Sequence, residues 1–245
     1  TPQPHKFASS HPHQLARRFN GKSAVVFRTR DLLVGQRTQI INAIRGHLAE
    51  YGLIAPQGPS HVDQLIAQIE DPSSGIPDPA RSCLAVLVET LRALQGKIAA
   101  LDTEIAARAK RDDGARRLMS IPGIGPLIAT AIEALAPPVE IFRSGRDFAA
   151  WVGLTPLQRS TGAQERLGKI SRMGERTLRR LLIIGASGVV RWARRKGVPA
   201  GSWLARMLAR KPPMLVIVAL ANKMARIAWA LIAKGGSYRA PAVAA

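Results

Sequence analysis

Apolar residues recur at steps of three and four along most of the chain, a pattern that predicts helices separated by Gly- and Pro-rich breaks. From about 24 to 52, Leu33, Ile40, Ile44, Leu48 and Tyr51 share one face, and Gly52 supplies the stop. A Pro/Gly loop over Ala55–Ser60 leads to a short helix at Val62–Ile69. Asp71–Pro79, with three prolines and a glycine, breaks the chain again. The cleanest pattern follows: Leu84, Leu87, Leu91, Leu94, Ile98, Leu101 and Ile105 form an a/d seam that argues for a coiled coil. Its partner is either the 24–52 helix folded back antiparallel or another copy of the chain. Gly96 weakens the middle by about 1 kcal/mol relative to alanine, so the seam needs that partner.

Past Asp112-Asp113-Gly114 comes a hairpin, Ile121-Pro122-Gly123-Ile124-Gly125-Pro126, between two apolar segments. Pro126 suits a first helical position, and the helix it opens stops at Pro137-Pro138. Ser144 with Asp147 reads as an N-cap pair for a short helix through Trp151. Gly153-Leu154-Thr155-Pro156 then leads into a polar loop. A helix over 175–196 is expected to bury Leu178, Leu181, Leu182, Val189 and Trp192. The last helix, Met214–Ala233, carries Met214, Ile217, Ala221, Met224, Ala228 and Leu231 at three-four spacing, which reads as core or subunit contact. The predicted fold is mainly α: a long coiled-coil helical hairpin, then a helical domain containing a helix-hairpin-helix motif. Its parts are a disordered lead-in at 1–23, a coiled-coil linker region at 24–113, a C-terminal domain at 114–236 and a tail at 237–245.

Charge changes the picture. A formal net charge of +20, with an isoelectric point near 11.6, favours a polyanionic partner. Residues 1–114 hold 14 Lys and Arg against 11 Asp and Glu, a net of +3, whereas 115–245 hold 22 against 5, a net of +17. The basic half is therefore the half that begins at the hairpin, and the polyanion it suits is nucleic acid first and an anionic membrane second. The apolar fraction, 47%, is enough for a packed core. A single cysteine, Cys83, excludes an internal disulfide framework, suits a reducing cytoplasm and reads as a small buried thiol. The N-terminus lacks the apolar stretch of a signal peptide. Asn222, Lys223 and Arg226 interrupt the most apolar segment, so no membrane span is expected. His11 and His13 have no Cys or acidic cluster beside them, and no metal site is expected.

Three features carry candidate chemistry. Gly123 and Gly125 either make a plain turn or leave backbone N–H groups bare for a phosphate. The face with Arg176, Arg179, Arg180, Arg191, Arg194 and Arg195 is either solvated or laid against DNA, because cations this dense repel one another without an anion. The loop Arg159-Ser160-Thr161-Gly162, with Arg166, Lys169 and Arg172 following, either makes a plain turn or sets a hydroxyl among cations as attack on a phosphodiester requires.

Three runs bring a resemblance: IPGIGPLIATAI, FAAWVGLTPLQRSTGAQERLGKISRMGERTLRRLLIIGA and ALANKMARIAWALI. Over about 115–235 they resemble the DEDD-type insertion-sequence transposases, the family named after insertion sequences 110, 116 and 902. TRDLLVGQRTQIINAIRGHLAEYG (29–52) resembles the segment joining that family's two domains. The resemblance implies bacterial, nucleoid-associated enzymes of DNA transposition and recombination. It implies a RuvC-like nuclease domain with four carboxylates for Mg²⁺, then a helical domain with a serine nucleophile. It also implies oligomers guided by an RNA from their own element. Carried onto this sequence, the nucleophile is Ser160, with Thr161 as the alternative. Arg159, Arg166, Lys169 and Arg172 then stabilise the transition state. The first acidic residue is Asp31, so the nuclease half and its Mg²⁺ are expected outside this chain, which corresponds to a C-terminal portion. Two functions stay open: the serine-bearing part of a recombination enzyme, or a non-catalytic remnant that binds DNA or RNA and dimerises.

Overall fold

The structure, a computed structural model, describes residues 21–58, 61–158 and 167–239, with the backbone alone at 21–23, 158 and 167. These residues are mainly helical, as the periodicity predicts. They divide into two compact units, one over Val25–Glu104 and the other carried mainly by Ile105 onward.

The first unit is built on α1 (Gly21–Glu50), α2 (Val62–Glu70) and most of α3 (Asp78–Arg111). Helix α1 starts at Gly21, inside the stretch expected as lead-in; the rest of that stretch, 1–20, lies outside the described residues. Gly52 takes a positive φ of 74° after α1, as its role as a stop requires. Helix α3 begins at Asp78, so Pro79 sits in its first turn, where a missing N–H costs nothing. Ile44 and Leu48 of α1, Val62, Leu65, Ile66 and Ile69 of α2, and Leu84, Val88 and Leu91 of α3 form one buried cluster. Farther along, Arg30 Nε donates to Asp102 Oδ1 at 2.5 Å. Residues early in α1 thus meet residues late in α3, and the two helices run antiparallel.

The buried stripe of α3 differs from the expected seam in two places: Val88 is buried while Leu87 is only partly so, and Leu101 is only partly buried as well. Tyr51 and Cys83 are exposed, against expectation. Tyr51 falls beyond the end of α1, where helical periodicity no longer decides its side. Cys83 precedes the stripe that starts at Leu84 and so points off it. Cations of this unit are spent on carbonyls. Arg81 donates to Ile69 O at 2.7 Å and to Ile76 O at 3.1 Å, and Arg45 to Ala55 O at 3.0 Å and Pro56 O at 2.8 Å. Both arginines hold the loops flanking α2 in place.

The second unit opens with α4 (Asp113–Leu118), capped by Asp112, whose side chain accepts from Ala115 N at 2.9 Å. The turn that follows is type II in form: Ile124 N donates to Ile121 O at 3.0 Å, with Pro122 second and Gly123 third at φ 89°. Next come α5 (Pro126–Leu135), a 3-10 turn at Val139–Ile141, and α6 (Gly145–Val152), whose N-cap Ser144 accepts from Asp147 N as expected. Phe142, Phe148 and Trp151 pack ring to ring at 5.3–5.8 Å beneath α6. The chain then forms two short strands, β1 (Pro156–Gln158) and β2 (Leu167–Ile170), paired antiparallel with Pro156 opposite Ile170. The sequence pattern shows only a loop here, because strands of three and four residues are too short to display a period. Helices α7 (Arg176–Lys196), α8 (Trp203–Arg210) and α9 (Pro213–Lys234) complete the unit.

Helix α9 is the element that the others pack on; it touches α4, α6, α7 and α8. Ala221, Ala225 and Ala228 are wholly buried, and their small side chains let neighbouring backbones come close. By length and composition α9 is long and apolar enough to cross a membrane, despite Asn222, Lys223 and Arg226. Met214, expected in the core or at a subunit contact, is 65% exposed at the start of α9, and Val216 is buried. In α7, Trp192 is 62% exposed and Val189 half-buried. The buried residues are Leu178, Leu181, Leu182, Ala186, Val190 and Ala193, a stripe that passes beside Trp192.

Candidate active site and nucleic-acid interface

Arg159, Ser160, Thr161, Gly162 and Arg166 lie outside the described residues. What is described is the frame that carries them. Below the paired strands the two chain segments stay together: Ser171 N donates to Thr155 O at 2.9 Å, Arg172 N to Gly153 O at 3.3 Å, and Glu175 N to Trp151 O at 3.3 Å. This frame is tight. Gly153 at φ 81°, Arg172 at φ 54° and Gly174 at φ 122° all occupy left-handed backbone within a few residues of the crossing. A side chain at Gly174 would run into Trp151 O, and one at Gly153 into Met173 O. Arg172 is the one non-glycine at positive φ among the described residues, a conformation that costs about 1–3 kcal/mol and gathers at functional sites.

Cations crowd the base of this frame. Lys169, Arg172 and Arg176 are exposed. Arg179 is half-buried, and its Nη1 donates to Val152 O at 2.9 Å, the last carbonyl of α6. Burial lowers its pKa first, and the positive charges of Arg172 and Arg176 lower it further, with Glu175 opposing. Arg179 is thus an anchor joining α7 to the C-terminus of α6, where a cation also meets the negative end of the helix dipole. It does not stand on the solvated face with Arg180, Arg194 and Arg195, which are exposed. Arg191 and Trp192 are exposed on α7 as well, so an indole lies among cations there.

The two hairpin glycines have different surroundings. A Cβ at Gly123 would sit 2.7 Å from Val189 Cγ2 and 2.8 Å from Gly185 O, so this glycine serves close packing on α7. Gly125, the N-cap of α5, has no atom within 4 Å of where a side chain would point. Of the pair, Gly125 alone faces open space.

A second basic cluster escaped sequence reasoning. Arg146 of α6, Lys223 and Arg226 of α9 and Trp203 of α8 line one cleft of about 820 Å³. The sequence shows Lys223 and Arg226 as interruptions of an apolar helix. Their three-residue spacing, which puts them on one face, was the available signal.

The fold and site together define a helical domain with exposed cations gathered at the base of a two-stranded ribbon. Residues 115–198 match the sequence model of the transposase IS116/IS110/IS902 family. A putative transposase, y4pF/y4sB, of Sinorhizobium fredii is 42% identical over 212 residues, spanning 86% of this chain and 54% of the relative. A probable family 20 transposase of Pseudomonas aeruginosa is 43% identical over 215 residues, 86% of this chain and 63% of the relative. The transposase for insertion sequence element IS1111A of Coxiella burnetii is 35% identical over 215 residues, 87% of this chain and 59% of the relative. The chain belongs to this insertion-sequence transposase family, and it spans between about half and two thirds of the length of these curated relatives.

Proposed function

We propose that this chain is the part of an insertion-sequence transposase that binds DNA and carries out serine-mediated strand exchange. The observation that supports it most is the strained, cation-rich frame at Gly153, Arg172 and Gly174, which holds both ends of the Arg159–Arg166 loop. Ser160 Oγ attacks a phosphodiester phosphorus as its hydroxyl proton passes to solvent, a new serine–phosphate bond forms, the P–O3′ bond breaks, and the departing oxygen takes a proton from solvent and leaves as a 3′-OH. Arg159, Arg166, Lys169 and Arg172 stabilise the charge that builds on the phosphoryl oxygens. Thr161 is the alternative nucleophile. Gly125 and the exposed arginines of α7 hold the flanking duplex, which makes Ile121–Pro126 a working helix-hairpin-helix element.

The antiparallel α1–α3 pair is, in this proposal, a coiled-coil linker through which copies of the protein associate. A guide RNA, a cytoplasmic, nucleoid-associated location and Mg²⁺ held by a nuclease domain complete it. No step here is routed through that ion.

The test uses a suicide DNA substrate, the element's RNA and a full-length relative to supply the nuclease half. A covalent protein–DNA adduct is expected on a denaturing gel, mapping to Ser160 by peptide mass. Ser160→Ala should abolish it while DNA binding stays within about twofold, since the loop's charge is unchanged. An adduct on Thr161 moves the assignment by one residue. Persistence in a Ser160→Ala, Thr161→Val double variant removes this loop from the chemistry, and absence of any adduct with the parent chain favours the non-catalytic binding remnant.

DNA contact through α7 has its own test. Replacing Arg191, Arg194 and Arg195 with Ser is expected to flatten the salt dependence of duplex binding by about 2–3 in log–log slope, with the melting temperature unchanged. An unchanged slope takes this face out of the interface.

A further inference from the structure

The cleft lined by Arg146, Trp203, Lys223 and Arg226 is not used by the serine chemistry, and its composition is unusual. Three cations line it, and Arg206 lies close enough to act on Lys223. No carboxylate lines it; Asp147, the acidic residue in the first turn of α6, is not among its walls. Lys223 feels this crowding. Burial, then the charges of Arg206 and Arg226, hold its ammonium below the usual lysine range. Its Nζ lies 4.5 Å from the centre of the Trp203 ring, a contact that makes up for part of the missing counter-charge. The N-terminus of α6 forms another wall, with Ser144 as its cap, and adds the positive end of a helix dipole. Asn222, also on the wall, donates to Leu154 O at 3.2 Å, two residues before β1. The cleft therefore adjoins the root of the hairpin that carries Arg159–Arg166.

We propose that this cleft binds one nucleotide unit of an unpaired nucleic-acid strand, with its phosphodiester on Arg146, Lys223 and Arg226 and its base stacked on Trp203. A phosphate supplies the anion that the three cations lack. An indole supplies a flat face that any base can meet. The strand is unpaired because a base held inside a duplex stack presents no free face to a side chain in a cleft. The volume, about 820 Å³, exceeds what a single phosphate needs and suits a nucleotide with part of its neighbour. That the bound strand runs toward the serine loop rests on the proposed role of Ser160; binding itself does not.

The experiment measures fluorescence anisotropy of the full chain with short labelled oligonucleotides: an unpaired DNA, an unpaired RNA of the same sequence, and a duplex. A double variant, Arg146→Ser with Lys223→Gln, is expected to weaken binding of at least one unpaired strand about tenfold or more, with duplex affinity held within about twofold. The strand that loses more, DNA or RNA, identifies the natural ligand. Trp203→Ala should cost about tenfold on the same strand, and Trp203→Phe should restore most of it. Unpaired oligonucleotides containing bromouracil should photo-crosslink to Trp203. If the double variant melts early, Arg146→Ser alone carries the test, because that side chain is exposed.

Equal losses on duplex and unpaired strands overturn the proposal in favour of general electrostatics. So do crosslinks confined to α7, or full binding by every cleft variant. Ser160→Ala is expected to bind the unpaired strand like the parent. Failure of the serine chemistry and failure of this cleft are thus read from different variants.

Discussion

Gly174→Ala is expected to lower the melting temperature by about 5–15 °C, corresponding to roughly 2–4 kcal/mol of stability. Two costs combine. The backbone at Gly174 has φ 122°, which side-chain-bearing residues rarely adopt, and the added methyl would run into Trp151 O. That oxygen also accepts from Glu175 N at 3.3 Å, so relief comes only by parting the start of α7 from the end of α6. The same movement displaces the base of the β1–β2 hairpin. Any serine adduct should therefore fall together with stability, whereas Ser160→Ala should remove the adduct alone. Gly188→Ala is the control, because it lies within α7 with no atom within 4 Å of its Cβ position. There the substitution should be neutral or stabilising by up to about 1 kcal/mol. Equal melting of the two variants would show that the crossing under the loop is not tight.

Leu91→Asp should unfold the Val25–Glu104 unit. Leu91 is wholly inaccessible and sits in the cluster shared by α1, α2 and α3. Replacement by aspartate removes a buried isobutyl group and places a carboxylate with no partner in its space, a loss of about 4 kcal/mol or more. Val86→Asp, on an exposed position of the same helix, should change stability by less than about 0.5 kcal/mol. Circular dichroism melts with limited proteolysis separate the outcomes. Early helix loss and cutting within 25–104 are expected for Leu91→Asp. A variant that melts like the parent but sediments as a smaller species would instead place Leu91 between copies of the protein.

The helices were largely legible because their signals are local. Leu84, Leu91, Leu94, Ile98 and Ile105 recur at three and four residues, and all five are buried. Pro126 and Ser144 open helices for reasons contained within one turn of chain. The errors fall where a helix meets something distant. Trp192 and Met214 share the spacing of core residues, yet each is exposed, and the buried stripes run beside them through Val190 and Ala193 in α7 and Val216 and Ile217 in α9. Cys83 is apolar enough for burial, but a one-residue offset from the Leu84 stripe decided its side.

The candidate site divides in the same way. The basic surplus of the second half and the serine among cations are composition and spacing, which a linear sequence carries in full. Tertiary structure alone decided that Arg179 ties α7 to α6 through Val152 O, and that Gly123 packs against Gly185. It also drew Arg146, Trp203, Lys223 and Arg226, some eighty residues apart at the extremes, around one cleft. Periodicity records which side of a helix is apolar, because that preference acts within a few residues. Which cations are used up in packing, and which are left to meet a phosphate, depends on how helices cross, and that is set by contacts between residues far apart in the chain.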